Sequence, residues 1–154
     1  MASTVTAQTL TVDISETITL GGTNYSSTKS LSIANITSIF KRVVTCIASQ
    51  TTTIATFNGN VFASDNAIDL EDTKYIRITN MDDTNPLELA IVGAATLYQV
   101  VLAAGESHIL GSPDDLMLAE ADTSPSFGTM ADIASIQVNP ASNDVDIEIF
   151  VASI

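Results

Sequence analysis

Residues 74–110, KYIRITNMDDTNPLELAIVGAATLYQVVLAAGESHIL, decide the fold of this 154-residue chain. The segment contains short runs with the residue preferences of β-strands, at residues 75–79, 87–92, 97–102 and 107–110. Asn, Asp, Pro and Gly residues separate the runs, and these residues favour turns because they form local hydrogen bonds or adopt special backbone angles. Runs of this length and spacing predict an antiparallel meander inside a β-sandwich or barrel.

On the N-terminal side, residues 9–20 alternate between apolar and polar side chains, which is typical of a half-buried strand. The apolar members are expected to face the core: Leu10, Val12, Ile14, Ile18 and Leu20. Residues 1–8 are small and polar and predict a flexible arm that orders only against a partner. Residues 21–30 have the composition of a loop.

The middle of the chain predicts further strands. We expect a short strand at residues 31–33, a bend at 34–38, and strands at 39–47 and 50–57. Asn58-Gly59 favours a tight turn and therefore a hairpin to residues 61–63. The acidic segment 64–73 is expected to be an exposed loop.

The C-terminal part predicts a closing hairpin. A short strand is expected at residues 116–118, and a long surface loop with a helical turn near Met130 at 119–132. The runs 133–138 and 145–152 then flank a turn that contains Pro140, where no donor for the sheet is needed. The alternation in the last run predicts four core-facing side chains: Val145, Ile147, Ile149 and Val151.

The complete pattern predicts about eight to ten strands and little helix. We therefore expect an all-β fold, namely an antiparallel, jelly-roll-like β-sandwich. It should form a single domain over residues 9–154, preceded by the flexible arm of residues 1–8.

The composition argues against several kinds of partner. With 18 acidic and 5 basic residues the net charge is −13, whereas nucleic-acid binding requires clustered cations, so no nucleic-acid partner is expected. No apolar run is long enough to span a membrane, and the N-terminus lacks signal-peptide features, so we expect no membrane partner and synthesis in a cytoplasm. The single cysteine, Cys46, lies in an apolar run and should be buried without a disulfide partner.

We predict no catalytic residue, no cofactor-binding residue and no metal ligand. His108 is the single histidine, and Ser107 beside it should point to the opposite face of the strand, where it cannot use the imidazole. One histidine and one cysteine cannot furnish a zinc site. Calcium binding stays open at the acidic turns 82–83, 114–115 and 65–72, because calcium accepts carboxylate oxygens from loops.

Two segments carry a resemblance to a known group of proteins. They are YIRITNMDDTN at residues 75–85 and VLAAGESHIL at residues 101–110, with an apolar strand between them. This arrangement resembles small virion structural proteins of tailed bacteriophages, particularly of marine and cyanobacterial phages, which carry it on a β-sandwich scaffold.

The resemblance implies a non-enzymatic capsid cement or decoration protein that binds and stabilises the head shell at the capsid surface. The implied partners are the major capsid protein or another virion protein, in a homo-oligomer or multi-copy array. It implies no catalytic or cofactor residue. The alternative is a β-sandwich module of the tail or fibre, used for adhesion or carbohydrate binding.

Overall fold

The computed structural model describes residues 4–59, 67–93, 97–111 and 132–154, and the regular secondary structure within these ranges consists of β-strands joined by turns and loops. The strands are β1 Gln8–Glu16, β2 Thr19–Leu20, β3 Thr23–Asn24, β4 Ser27–Ile36, β5 Ser38–Cys46, β6 Thr52–Asn58, β7 Ile68–Asp69, β8 Thr73–Asn80, β9 Leu87–Gly93, β10 Leu97–Leu102, β11 Ser107–Leu110, β12 Ile133–Pro140 and β13 Val145–Ser153. The prediction of an all-β fold is confirmed. Of the described strands, β2, β3 and β7 are only 2 residues long.

Two sheets face each other. The five-stranded sheet has the order β10-β9-β12-β6-β7, and the four-stranded sheet has the order β11-β8-β13-β5. Their pairings are antiparallel, apart from the short parallel pair β6–β7. With β7 set aside, this strand order is that of a jelly roll, in agreement with the sequence-based expectation.

The core lies between the two sheets and is formed by alternate residues of each strand. Val145, Ile147, Ile149 and Val151 are all buried, as their alternation predicts. Cys46 is also fully buried, which confirms its predicted environment, and burial raises the pKa of its thiol. Ile76 and Ile78 of β8 pack beside them, opposite Leu89 and Ile91 of β9 and other side chains of the five-stranded sheet.

Two predicted connections are wrong. The predicted closing hairpin does not form, because β12 lies in the five-stranded sheet and β13 in the four-stranded sheet. Likewise β8 to β11 do not form a meander. Among them, only β9 and β10 are both consecutive in sequence and paired in a sheet. Turn residues reverse the chain, but they do not specify whether it returns beside the same strand or crosses to the facing sheet. In a sandwich both outcomes give the same period-two pattern.

The N-terminal ribbon, which we define as β1 to β4, is a separate antiparallel layer. β1 pairs with β4, and an irregularity in their register lies beside Asn35, whose φ is 64°. Gly21 and Gly22 form the tight β2–β3 turn, and both have positive φ angles. The single strand predicted at 9–20 is therefore wrong, since it is divided into β1 and β2. The loop predicted at 21–30 is also wrong, because it holds β3 and the start of β4.

The base of the ribbon packs on the outer face of the four-stranded sheet. Leu10, Val12 and Ile33 contact a small apolar cluster that contains Tyr75 and Phe150, whose rings meet edge to face at 6.1 Å. The rest of the apolar face is uncovered: Ile14 is 53% exposed, Ile18 51% and Leu20 68%. The prediction that this set meets the core is therefore correct only in part. Alternation shows which side chains share a face, but it does not show where the surface beneath them ends.

Two further loop predictions fall on described residues, and three predicted elements lie outside them. The bend expected at 34–38 is reduced to Thr37 between β4 and β5. The acidic loop expected at 64–73 includes β7, which adds to β6. The hairpin strand at 61–63, the strand at 116–118 and the helical turn near Met130 lie outside the described residues.

Candidate functional site

The segment that carries the resemblance is organised around Asn80, the last residue of β8. Its side chain is fully buried. The amide nitrogen Nδ2 donates hydrogen bonds to the carbonyl oxygens of Asn85, Leu102 and Ala103, at 2.8, 3.2 and 3.1 Å. The amide oxygen Oδ1 accepts from the backbone N–H of Asp82 at 3.0 Å. One side chain therefore holds two connections of the sandwich together.

Asp82 organises the turn that follows. Its Oδ1 accepts hydrogen bonds from the backbone N–H groups of Thr84 and Asn85, at 2.7 and 2.6 Å. These bonds lower the pKa of the Asp82 carboxyl, and the bond from Asn85 has the larger effect. The turn 82–83 was a candidate calcium site, but the Asp82 carboxylate is already used as an internal acceptor. The candidate turn at 114–115 lies outside the described residues.

The second half of the motif also has a structural role. Gly105 has a φ of 74°, which a residue with a side chain adopts only with strain. Glu106 closes the same turn, because its Oε2 accepts a hydrogen bond from the backbone N–H of Ala103 at 2.9 Å. The run Ala-Gly-Glu is thus explained by the turn it forms.

The outer face of the four-stranded sheet carries a small ionic cluster. Glu148 accepts from Lys41 Nζ at 2.9 Å and from Arg77 at 2.5 Å, and its side chain is only 14% exposed. The hydrogen bonds from Lys41 and then Arg77 lower the pKa of the Glu148 carboxyl. Because the three side chains come from β5, β8 and β13, the cluster ties neighbouring strands together.

His108 and Ser107 are divided between the two faces of β11. The Nε2 atom of His108 lies 2.7 Å from the hydroxyl of Tyr98 on β10, whereas the Ser107 hydroxyl lies 2.8 Å from that of Thr79 on β8. The expectation that Ser107 cannot use the imidazole is confirmed. The pair of His108 and Tyr98 links the edges of the two sheets, and burial lowers the pKa of His108 and raises that of Tyr98, which favours the uncharged form of each.

The described ranges hold no group of three or more His, Cys, Asp or Glu side chains arranged to bind a metal ion. They also hold no helix long and apolar enough to cross a membrane.

The most unusual surface is β5, an edge of the four-stranded sheet. β13 pairs with β5 from Ser38 to Cys46, and no strand among the described residues pairs with the opposite edge. Ile39 and Val43, on its outer face, are 51% and 52% exposed. Phe40 and Arg42 line a cleft of about 370 Å³ between β5 and the edge of the five-stranded sheet, with Ile54 and Ile68 among its other residues.

This exposed edge was missed by sequence reasoning, which treated residues 39–47 as an ordinary strand. The signal was the adjacent pair Lys41-Arg42 inside an apolar run. Charged residues in the middle of a strand are typical of edges that must avoid uncontrolled pairing.

Comparisons with known proteins do not define a family. No family model matches the chain, and no curated protein matches it. Two chains among solved structures match. One is described as "Bacillus endospore appendages form a novel family of disulfide-linked pili", with 11% sequence identity, a TM-score of 0.43, and coverage of 99% of this chain and 96% of that chain. A likeness at this TM-score carries no argument about function.

Proposed function

We propose that this protein is a non-enzymatic structural subunit of a bacteriophage virion, and that it is a capsid cement or decoration protein bound in many copies to the head shell. The observation that carries the proposal is the uncovered apolar surface of the ribbon and of β5. Large apolar side chains exposed together typically mark surfaces that a partner covers.

The arrangement of the motif residues also supports a structural role. Asn80 and Glu106 hold turns, and Arg77 holds neighbouring strands through Glu148. Because the polar side chains of this segment bond within the protein, we assign the segment a structural role and expect other surfaces to bind the partner. His108 is paired with Tyr98 and is separated from Ser107, so these two residues do not form the pair of base and nucleophile that a hydrolase would require.

The charge of the chain fits assembly on a shell better than contact with nucleic acid. At −13 the free subunits repel one another at low salt. Assembly therefore requires specific contacts that overcome this repulsion, and apolar surfaces serve that purpose because their burial is little affected by charge.

The direct test is the location and copy number of the protein in purified virions, measured by quantitative mass spectrometry. The proposal expects a copy number comparable with that of the major capsid protein, and co-purification with heads after the tails are removed. A few copies per particle, retained with the tails, would favour the tail or fibre alternative. Absence from washed virions would contradict both.

A further inference from the structure

We infer that copies of this chain associate by strand pairing, in which the free edge of β5 in one copy accepts the free edge of β1 from the next copy. The inference rests on the proposed function only for the presence of many copies. It adds the contact by which those copies would meet.

The first argument is the backbone of β5. In an antiparallel sheet, successive backbone groups point alternately to the two sides of a strand. β13 satisfies one side from Ser38 to Cys46, and no strand of the described residues satisfies the other. β5 contains neither Pro nor Gly, so nothing in its backbone prevents the addition of a strand.

The second argument is the division of side chains across this edge. Ile39 and Val43 are exposed on the outer face, together with Lys41, which is paired with Glu148. On the inner face, Arg42 lies opposite Ile149 and lines the open cleft. Arg42 forms no ion pair with any carboxylate of the described ranges. The edge therefore suits a strand that is apolar on one face and carries a carboxylate on the other.

The strand β1 has these properties. Its apolar face carries Leu10, Val12 and Ile14, and Asp13 lies on the opposite face, where it accepts a hydrogen bond from Ser30. β1 has 9 residues, as does β5. β4 occupies one edge of β1, and no described strand occupies the other.

The charges select the register. When Asp13 stands opposite Arg42, its neighbours Val12 and Ile14 stand beside Lys41 and Val43 for either strand direction, because side chains alternate across the sheet. The pairing would bury the exposed part of Ile14 and Val43. It would also bring one of the acidic residues to one of the few cations of the chain.

The contact requires two copies. Within one copy, β1 is bonded to β4 and its apolar face packs near Tyr75 and Phe150. Gln8 and Leu10 share a cleft with Ile39 at the start of β5, but no backbone pairing joins the two strands. Because the donor and acceptor edges differ, each copy offers both, and the contact repeats head to tail into a ring or a filament.

The test is self-association of the full chain, measured by sedimentation velocity over a concentration series at fixed salt. Asp13→Lys and Arg42→Glu should each weaken association by roughly tenfold or more, because each places like charges together. The combined variant, with the original net charge, should return to within about threefold of the original dissociation constant. Glu88→Lys, which changes an exposed position on the five-stranded sheet, is the control with the same charge change as Asp13→Lys, and it should not weaken association.

Hydrogen exchange provides a second readout. Peptides that cover β5 and β1 should gain protection as concentration rises, while those that cover β13 stay protected throughout. A protein that remains monomeric at every concentration would overturn the inference, as would a combined variant that is no better than the single variants. Full protection of both edges of β5 in dilute monomer would also overturn it, since the chain would then cover its own edge. None of these results depends on the location of the protein in a virion, so this inference and the proposed function can fail separately.

Discussion

β13 and the N-terminal ribbon carry the same kind of sequence pattern but have opposite environments. Both alternate apolar and polar residues, and both lie in antiparallel pairings. In β13 the four alternating residues from Val145 to Val151 are buried between two sheets. By contrast, Ile14, Ile18 and Leu20 of the ribbon are more than half exposed. Alternation therefore indicates a strand with one apolar and one polar face. Whether the apolar face is buried depends on what packs against it. β13 supports the fold of one copy, and the ribbon leaves apolar surface that we propose another molecule covers.

The largest effect is expected for a charge in β13. Ile147 is fully buried, so Ile147→Asp would place an unpaired carboxylate in the core and should unfold the protein, at a cost above about 4 kcal/mol. Far-UV circular dichroism and urea denaturation measure this. Ile147→Val, the matched control, should retain the fold and cost about 1 kcal/mol. A folded Ile147→Asp protein of near-normal stability would show that β13 does not support the core as described.

The next effect is expected at Asn80. Asn80→Ala should lower the free energy of unfolding by about 2–3 kcal/mol, because it leaves buried carbonyl oxygens without a donor. Asn143→Ala is the control, since its amide makes an exposed bond to the Asn85 side chain, and it should cost no more than about 0.5 kcal/mol. Equal losses in both variants, measured by urea denaturation, would show that the buried position of Asn80 has no special value.

A smaller, pH-dependent effect is expected at Glu148. The pKa of Glu148 is lowered in the folded protein. The carboxylate therefore stabilises the fold at pH values above its ordinary pKa of 4.5, and this contribution is lost as the pH falls through the pKa of the folded state. Glu148→Gln should therefore be less stable than the original protein at neutral pH, with the difference shrinking in acid. The measurement is the free energy of unfolding from about pH 3 to about pH 7, a range that brackets the ordinary pKa of a glutamate carboxyl. A difference that is constant with pH would contradict the assignment.

The smallest effect on stability is expected in the ribbon. Leu20 is 68% exposed, so Leu20→Ser should change the free energy of unfolding of the isolated chain by no more than about 0.5 kcal/mol. The same variant should weaken binding to particles if the ribbon is a contact surface. A large loss of thermal stability in dilute protein would show instead that the ribbon tip belongs to the core of one copy.

The sequence specified the strands better than their partners. The β8 to β11 runs were located from turn residues and side-chain preferences, because Asp82 and Gly105 act within their own turns. The pairing of β12 and β13 was not, because it depends on which sheet the chain enters after Pro140, and this is set by packing between distant residues.

The candidate binding surfaces were harder to predict from the sequence than the strand pairing. The exposure of Ile14 and Val43 depends on where the neighbouring layer ends, which a residue pattern does not contain. Only Lys41 and Arg42 gave an indication, as charges inside an apolar run. The expectation that His108 and Ser107 point apart was correct, because it depends on strand geometry alone.

The central claim is that the ribbon and β5 are surfaces for assembly. Hydroxyl-radical labelling, read by mass spectrometry, can compare Ile14, Leu20 and Val43 in dilute isolated protein and in purified particles. The account predicts strong labelling of all three side chains in the isolated protein and clear protection in particles, with Leu97 of the five-stranded sheet as the exposed reference. Equal labelling in the two samples would contradict the claim.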